Sequence, residues 1–286
     1  MSVVIPHYNQ PAALALCLQS LARQSTPLAD FEVIVADNDS ADQASLAEAL
    51  ARFPGAKLVR EPKRGAAHAR NAAIAAARGA VFAFIDADCV ADSNWLSEGC
   101  KSLDKADLSG GEVTVTVADE RRPSAVEAFE KVFAFQQRDY VARKKFSVTA
   151  NLFATREAVE AVGPFTHGVS EDVDFCRRAA TLGFRLAFNA RSIIGHPARR
   201  DWSELVRKWD RLVTERWNGF GGRGPVSRLK WAALAIATAL SAAPHLFRVL
   251  TTRRLSRLSD RIAAAGVLLR IRWWRARRMV AALLAG

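Results

Sequence analysis

The chain has 286 residues, half of them hydrophobic, enough for one large domain or for a domain with an appendage. Its four cysteines, Cys17, Cys89, Cys100 and Cys176, form no CxxC pair, which excludes a disulfide frame and a zinc site on spacing and suggests reduced core residues of a cytosolic protein. The net charge of +12 lies entirely beyond residue 220, where 13 basic residues meet one acid, while the first 220 residues hold 28 of each sign; a polyanion, nucleic acid or an anionic membrane surface, is therefore a partner for the tail and not for the main domain.

The opening "MSVVIPHYN" has neither a basic n-region nor a long apolar run, so no signal peptide is expected and the domain should stay in the cytoplasm. "SVVIP" reads as a strand, "AALALCLQSLARQ" as an amphipathic helix, and "FEVIVAD" as the next strand. "DQASLAEALARF" follows as a helix capped from Asp39 and Ser40, then "AKLVRE" as a short strand, "GAAHARNAAIAAARG" as an Ala-rich helix closed by Gly79, and "VFAFID" as a strand. Apolar runs of strand length alternating with helices predict a doubly wound, mostly parallel α/β sheet. In such sheets ligands sit beyond the carboxyl ends of the strands, so His7-Tyr8-Asn9, Asp37-Asn38-Asp39 and Asp86-Ala87-Asp88 should gather on one edge.

Farther on, "GGEVTVTV" predicts a strand and "SAVEAFEKVFAFQQRDYVARKK" one long helix. "SVTANLFATREAVEAVGPF" reads as strand, turn and helix, and "SEDVDFCRRAATLG" as a helix from Ser170 to Gly183. "FRLAFNARSIIGH" gives two short strands and "WSELVRKWDRLVTERW" a helix.

Three DxD patterns occur. Asp39 reads as a cap, and Asp172 and Asp174 point about 200° apart on one helix, so neither pattern grips an ion by itself. Asp86 and Asp88, at the exit of a buried strand, repel each other unless a cation neutralises them, and such hard oxygen ligands suit Mg2+ or Mn2+ shared with a phosphate. "GFGGRG" (Gly219–Gly224) follows a helix and opens no βαβ unit, so it reads as a hinge; no phosphate loop of the GxxxxGK[ST] type is present.

"VVIPHYN", "VADNDS", "GAAHARNAAIAAARG", "FIDADCV", "TANLFATREAVEAVGPF" and "SEDVDFCRRAATLGFRLAF" stand in the order and spacing of the glycosyltransferase family 2 catalytic domain, which the sequence resembles over residues 1–220. The resemblance implies a GT-A fold and an inverting transfer from a nucleotide-sugar. It puts Pro6, Tyr8 and Asn9 at the nucleotide, Asp37 on the N3–H of a uracil, Arg70 and Asn71 near the diphosphate or sugar, and Asp86 at the ribose or the metal. Asp88 would ligate Mg2+ or Mn2+, joined by His196; Asp172 would be the general base, with Glu171 supporting it or binding the acceptor. A carboxylate taking the acceptor proton and a metal offsetting leaving-group charge suit a single displacement. The family's processive members carry QxxRW where this chain reads "VTERW", so addition of one or a few sugars is expected.

The tail, residues 221–286, contains 17 uncharged residues from Trp231 to Phe247 and then mixes Arg with Leu, Val, Trp273 and Trp274. It reads as helix lying on an anionic membrane, peripheral or monotopic at the inner face of the cell membrane, with a spanning or re-entrant segment and a packed helical extension or oligomer contact as alternatives, and with no nucleic acid as partner. The acceptor would then be lipid-linked or a growing surface oligosaccharide. Two rivals are a nucleotidyltransferase, for which "PHYNQPAALA" lacks a Gly-rich basic loop, and an inactive glycan- or membrane-binding module, for which loss of Asp37, Asp88 or Asp172 would be expected.

Overall fold

The computed structural model describes residues 1–220 and 224–285, so the centre of the expected hinge at Gly219–Gly224 lies outside the described residues. The first half alternates as expected: β1 (Ser2–His7), α1 (Pro11–Leu21), β2 (Glu32–Asp37), α2 (Gln43–Leu50), β3 (Lys57–Arg60), α3 (Ala66–Ala76) and β4 (Val81–Phe84). Then come β5 (Val90–Ala91), α4 (Trp95–Lys101), β6 (Leu108–Thr116), α5 (Ala125–Phe133), α6 (Gln137–Asp139), β7 (Leu152–Thr155), α7 (Arg156–Val162), α8 (Glu171–Thr181) and β8 (Leu186–Pro197). The helices α9 (Trp202–Asn218), α10 (Pro225–Leu240), α11 (Ala242–Thr251) and α12 (Leu258–Ala285) complete the chain.

The sheet runs β3-β2-β1-β4-β7-β6-β8-β5. β1, β2, β3 and β4 pair in parallel, β7 runs antiparallel to β4 and β6, and β5 antiparallel to β8. Successive residues of β1 point to opposite faces, and both faces are covered. Val3 and Ile5 pack in a core with Leu14, Leu18, Leu46 and Trp95, whereas Val4 packs with Ala69, Ala73, Ala158 and Phe175. That explains why β1 is a continuous apolar run without a polar alternate.

The chain forms two compact units. The first comprises residues 1–114, 135–167 and 171–196; the second comprises 115–134, 168–170 and 197–286. Helices α5 and α9, which precede residue 221, therefore belong to the same unit as the tail helices.

Four local expectations are corrected. The long helix over 124–145 breaks: α5 ends at Phe133, Ala134 is extended and Phe135 has φ 48°. The break lets the Phe135 ring pack, tilted by 44°, against His196, with centroids 4.6 Å apart, and lets the buried Gln137 amide donate to Gly111 O and Ser147 Oγ. The cap of α2 is Asp42, which accepts from Ser45 N at 2.9 Å, and not Asp39 or Ser40. The two short strands expected after residue 183 are one strand, β8. Gly79 lies beyond α3, and a side chain there would meet the backbone of Met1 at 2.5 Å.

Asn38 fastens the end of β2 to the loop leading into α3. Its amide donates to Glu61 O and Lys63 O at 2.9 and 2.7 Å and accepts from Gly65 N at 2.7 Å. Asn38→Ala should lower stability by about 1–3 kcal/mol, read as a reduced urea midpoint, because buried backbone groups lose partners. An unchanged midpoint would show that the loop holds without it.

Candidate active site

The chain leaves β1 towards β2 and β3, then returns to the other side of β1 as β4. The carboxyl ends of β1 and β4 thus border the point where the strand order reverses, the place where open α/β sheets leave a crevice. Arg70, projecting from α3, is 3% exposed. Its Nη2 donates to Asp86 Oδ1 at 2.8 Å and its Nη1 to Glu171 Oε1 at 2.7 Å, while the buried Nε has no partner among the described residues. Burial disfavours the charged guanidinium, but Asp86 and Glu171 outweigh that and raise its pKa above the ordinary arginine value.

Asp172 follows Glu171 in the first turn of α8. Burial, then the neighbouring Glu171 charge, push its carboxyl up to about 6, against a bond from Val173 N at 2.8 Å and the pull of Arg70. Asp174, two residues on, is directed elsewhere: it accepts from Thr166 Oγ1 and Arg178 Nε, both at 2.9 Å.

Asp88 and His196 also meet. His196 Nε2 is 3.6 Å from Asp88 Oδ1, and its ring is braced by Phe135. Cys89, the buried core residue expected, joins them: its Sγ, an Asp88 oxygen and a His196 nitrogen lie within 4.8 Å of one another. Oxygen, nitrogen and sulfur donors converging beside further carboxylates make a set that fits a divalent cation. Spacing could not reveal this set, because His196 is 107 residues beyond Cys89.

The β1–β2 edge differs in detail from expectation. Asp37 is 1% exposed, and its carboxylate accepts from His7 Nδ1 (3.1 Å), Ser40 N (3.3 Å) and Gln43 Nε2 (3.1 Å). Burial acts to raise its pKa, yet bonds from Ser40, Gln43 and His7 overcome this and hold it below the usual carboxylate range. Asp37 therefore fixes the loop from within. Asp39, with φ 65°, is the exposed carboxylate here; it pairs with Arg64 Nη2 at 3.1 Å, and that guanidinium lies 4.4 Å from the centre of the exposed Tyr8 ring. Pro6 is in β1, partly buried; Asn9, with φ 51°, ties to the β2 loop through Ser40 Oγ and Ala41 N. The Asn71 amide is spent in both directions on the Phe165 backbone, at 2.9 and 2.8 Å, so it braces α3.

The model of "Glycosyl transferase family 2" matches residues 2–163. Glycosyltransferase AglE of Haloferax volcanii is 34% identical over 222 residues, covering 74% of this chain and 71% of that protein. The chain belongs to glycosyl transferase family 2. The amylovoran biosynthesis glycosyltransferase AmsB of Erwinia amylovora is 28% identical, covering 68% of each. Among solved structures, the mannosyltransferase PcManGT of Pyrobaculum calidifontis, in complex with GDP-Man and Mn2+, superposes with a TM-score of 0.63 at 19% identity, over 99% of this chain and 85% of that one. S. aureus TarS 1–349 in complex with UDP superposes at 0.54 and 17% identity, over 96% and 90%. The structural likeness establishes the expected GT-A fold for this member of family 2.

The raised Asp172 pKa has a stability consequence. The native state holds the proton more tightly than the unfolded chain, so stability falls as pH rises from about 3.8 through about 6, and the whole penalty is present above that. Asp172→Asn keeps an acceptor for Val173 N and removes the charge. It should stabilise the protein at pH 7.5 by about 1–3 kcal/mol and show no gain at pH 3.5. Melting curves of both proteins at the two pH values check this; a variant less stable at pH 7.5 would refute it.

Proposed function

We propose that this family 2 protein transfers a sugar from a nucleotide-sugar, of the UDP type, to a hydroxyl of a lipid-linked or surface-glycan acceptor, with inversion and without processive extension. The observation that carries the proposal is Asp172, a carboxyl with a pKa raised to about 6 at the first turn of α8, next to a glutamate that Arg70 holds. A base poised near neutrality can take the acceptor hydroxyl proton while remaining ionised at working pH. One base and no covalent step imply a single displacement, so an α-linked donor gives a β-glycoside.

Tyr8, with Arg64 and Asp39 beside it, is assigned to the nucleoside, and Pro6 and Asn9 shape that edge. Asp37 supports them from behind; an oxygen would become available to a base only if the loop opened, since it accepts three bonds and is closed to solvent. Arg70 faces the diphosphate or sugar and sets Asp86 and Glu171; Asn71 holds the helix that carries it. Asp88 and His196 would hold Mg2+ or Mn2+, which when bound would offset charge on the departing diphosphate. We assign residues 1–220 to this catalysis and residues 221–286 to membrane association.

The support for attachment is the tail's chemistry. Pro225–Thr251 is long and apolar enough to cross a bilayer, but Ser241 interrupts it between α10 and α11. Trp231 Nε1 donates to Met279 O and Arg228 Nη2 to Leu283 O, so α10 runs antiparallel along the end of α12. On that stretch of α12, Arg278 pairs with Asp210 and Arg275 lies over the Trp209 ring. A bilayer around α10 would take these charges with it, which is costly, so attachment in the headgroup plane is favoured over a span. Val226, Leu229, Ile236, Leu240, Phe247 and Leu250 are exposed at spacings of 3, 7, 4, 7 and 3, a helical stripe available to that plane. The protein would work at the cytoplasmic face of the cell membrane.

Melting with UDP, GDP, dTDP and CMP, each with and without Mn2+, tests the donor site, since binding to the native state raises Tm. A Mn2+-dependent rise with UDP, lost in Asp88→Ala, is expected; no shift with any nucleotide would overturn the assignment. With a responsive donor in hand, kcat/KM should fall below about pH 6 as Asp172 protonates, and Asp172→Asn should lose transfer while keeping the nucleotide shift. Co-sedimentation with anionic vesicles should be salt-sensitive and lost in the double variant Ile236→Asp/Phe247→Asp; equal binding by that variant would exclude the stripe.

A further inference from the structure

Cys89 is fully buried and directly follows Asp88. Its thiol donates to Asp88 Oδ1 at 3.8 Å, and His196 Nε2 stands 3.6 Å from the same oxygen. The sulfur, the nitrogen and a carboxylate oxygen lie within 4.8 Å of one another, the one such group of three among the described residues. Ligands about 2.0–2.3 Å from a tetrahedral ion are separated by roughly 3.5 Å. Shifts on the order of 1 Å would therefore close all three on one ion.

We propose that Cys89 is a metal ligand of this site, and that its sulfur makes the site discriminate among divalent ions. The inference rests on Asp88 and His196 forming the metal end of the donor site. Sulfur joins a coordination shell as thiolate, releasing its proton to solvent. Ions with strong affinity for sulfur, such as Co2+ and Zn2+, displace that proton and take Cys89, His196 and Asp88 together. Mg2+ and Mn2+ prefer oxygen and rest on the carboxylate and imidazole, leaving the thiol protonated. The same donors then accept two classes of ion with different shells, and Zn2+ competes with Mn2+ for them.

The arrangement is firm enough to select. Cys89 N donates to Asp86 O at 3.0 Å, which sets the turn between the two aspartates and the thiol. The Phe135 ring lies against the His196 ring, with centroids 4.6 Å apart. β5 pairs Val90 with Gly195, so the residues next to Cys89 and His196 are neighbours across the ladder. A serine at 89 would keep the volume and lose the sulfur.

The test is Co2+ titration of the full, metal-stripped chain, followed by its visible ligand-field bands and its near-ultraviolet sulfur-to-cobalt charge-transfer band. Both should appear in the wild type; Cys89→Ser should lose the sulfur band and keep the visible bands, and Cys100→Ser should keep both. Visible bands without a sulfur band in the wild type would overturn the role of Cys89 while leaving the Asp88 site standing, provided they vanish in Asp88→Ala. A sulfur band that persists in Cys89→Ser and vanishes in Cys17→Ser would also overturn it. No Co2+ binding at all would sink the metal reading of Asp88 and His196 with it. Zinc X-ray absorption on the wild type needs no variant: one sulfur scatterer at about 2.3 Å is expected, and a shell of oxygen and nitrogen alone would refute the proposal.

Discussion

Arg70 is buried, and its guanidinium bonds carboxylates that lie 16 and 101 residues away along the chain. A buried cation is tolerable only when it is paired, and removing one partner from such a pair typically costs about 3–5 kcal/mol. This one contact therefore constrains three elements at once: α3, the turn after β4, and the first turn of α8. Asp86 and Glu171 can approach each other because Arg70 stands between them. Asp172 gains its raised pKa in the same place, from burial and from Glu171, which Arg70 holds at its side. The polar network is thus a frame as well as a chemical site.

Around that frame the two rims differ in kind. The β1–β2 rim is closed by local bonds, with Asp37 and Asn38 spending their side chains on the chain itself and leaving Tyr8, Asp39 and Arg64 outermost. The β4–β8 rim is closed by converging donors of unlike chemistry: carboxylate, imidazole and thiol. The first suits recognition by shape and stacking, and the second suits an ion. The broken helix after Phe133 serves the second rim, because Phe135 can brace His196 only by leaving the helical path.

The second unit uses charge in another way. Glu130 is buried on α5 and bonds Arg199 and Lys208, so its interior carries a satisfied ion cluster beside an apolar core. Several apolar side chains of α10 and α11, among them Leu229, Ile236, Leu240 and Phe247, are meanwhile exposed, while Trp231, Ala235 and Val249 are buried. Burying ions and exposing Leu, Ile and Phe inverts the usual soluble pattern, and the inversion is economical if the outer face meets lipid.

The sequence by itself determined the parallel half of the sheet, since β1, β2 and β4 are apolar runs buried on both faces, and it determined the strand-end positions of Asp37, Asp86 and Asp88. Period and strand length are local properties, and the motif order carried the family. Three things were decided only in tertiary structure. Asp37 turned inward and Asp39 outward, because which carboxylate is enclosed depends on His7, Ser40 and Gln43 and not on spacing. The helix expected through residue 145 broke, because the core of the first unit and His196 outweighed helical periodicity. Cys89 is the core residue expected and also lies beside His196, because only the antiparallel pairing of β5 with β8 brings those two positions together. Local propensity is written in neighbouring residues, whereas a site assembled across 101 or 107 positions is created by packing.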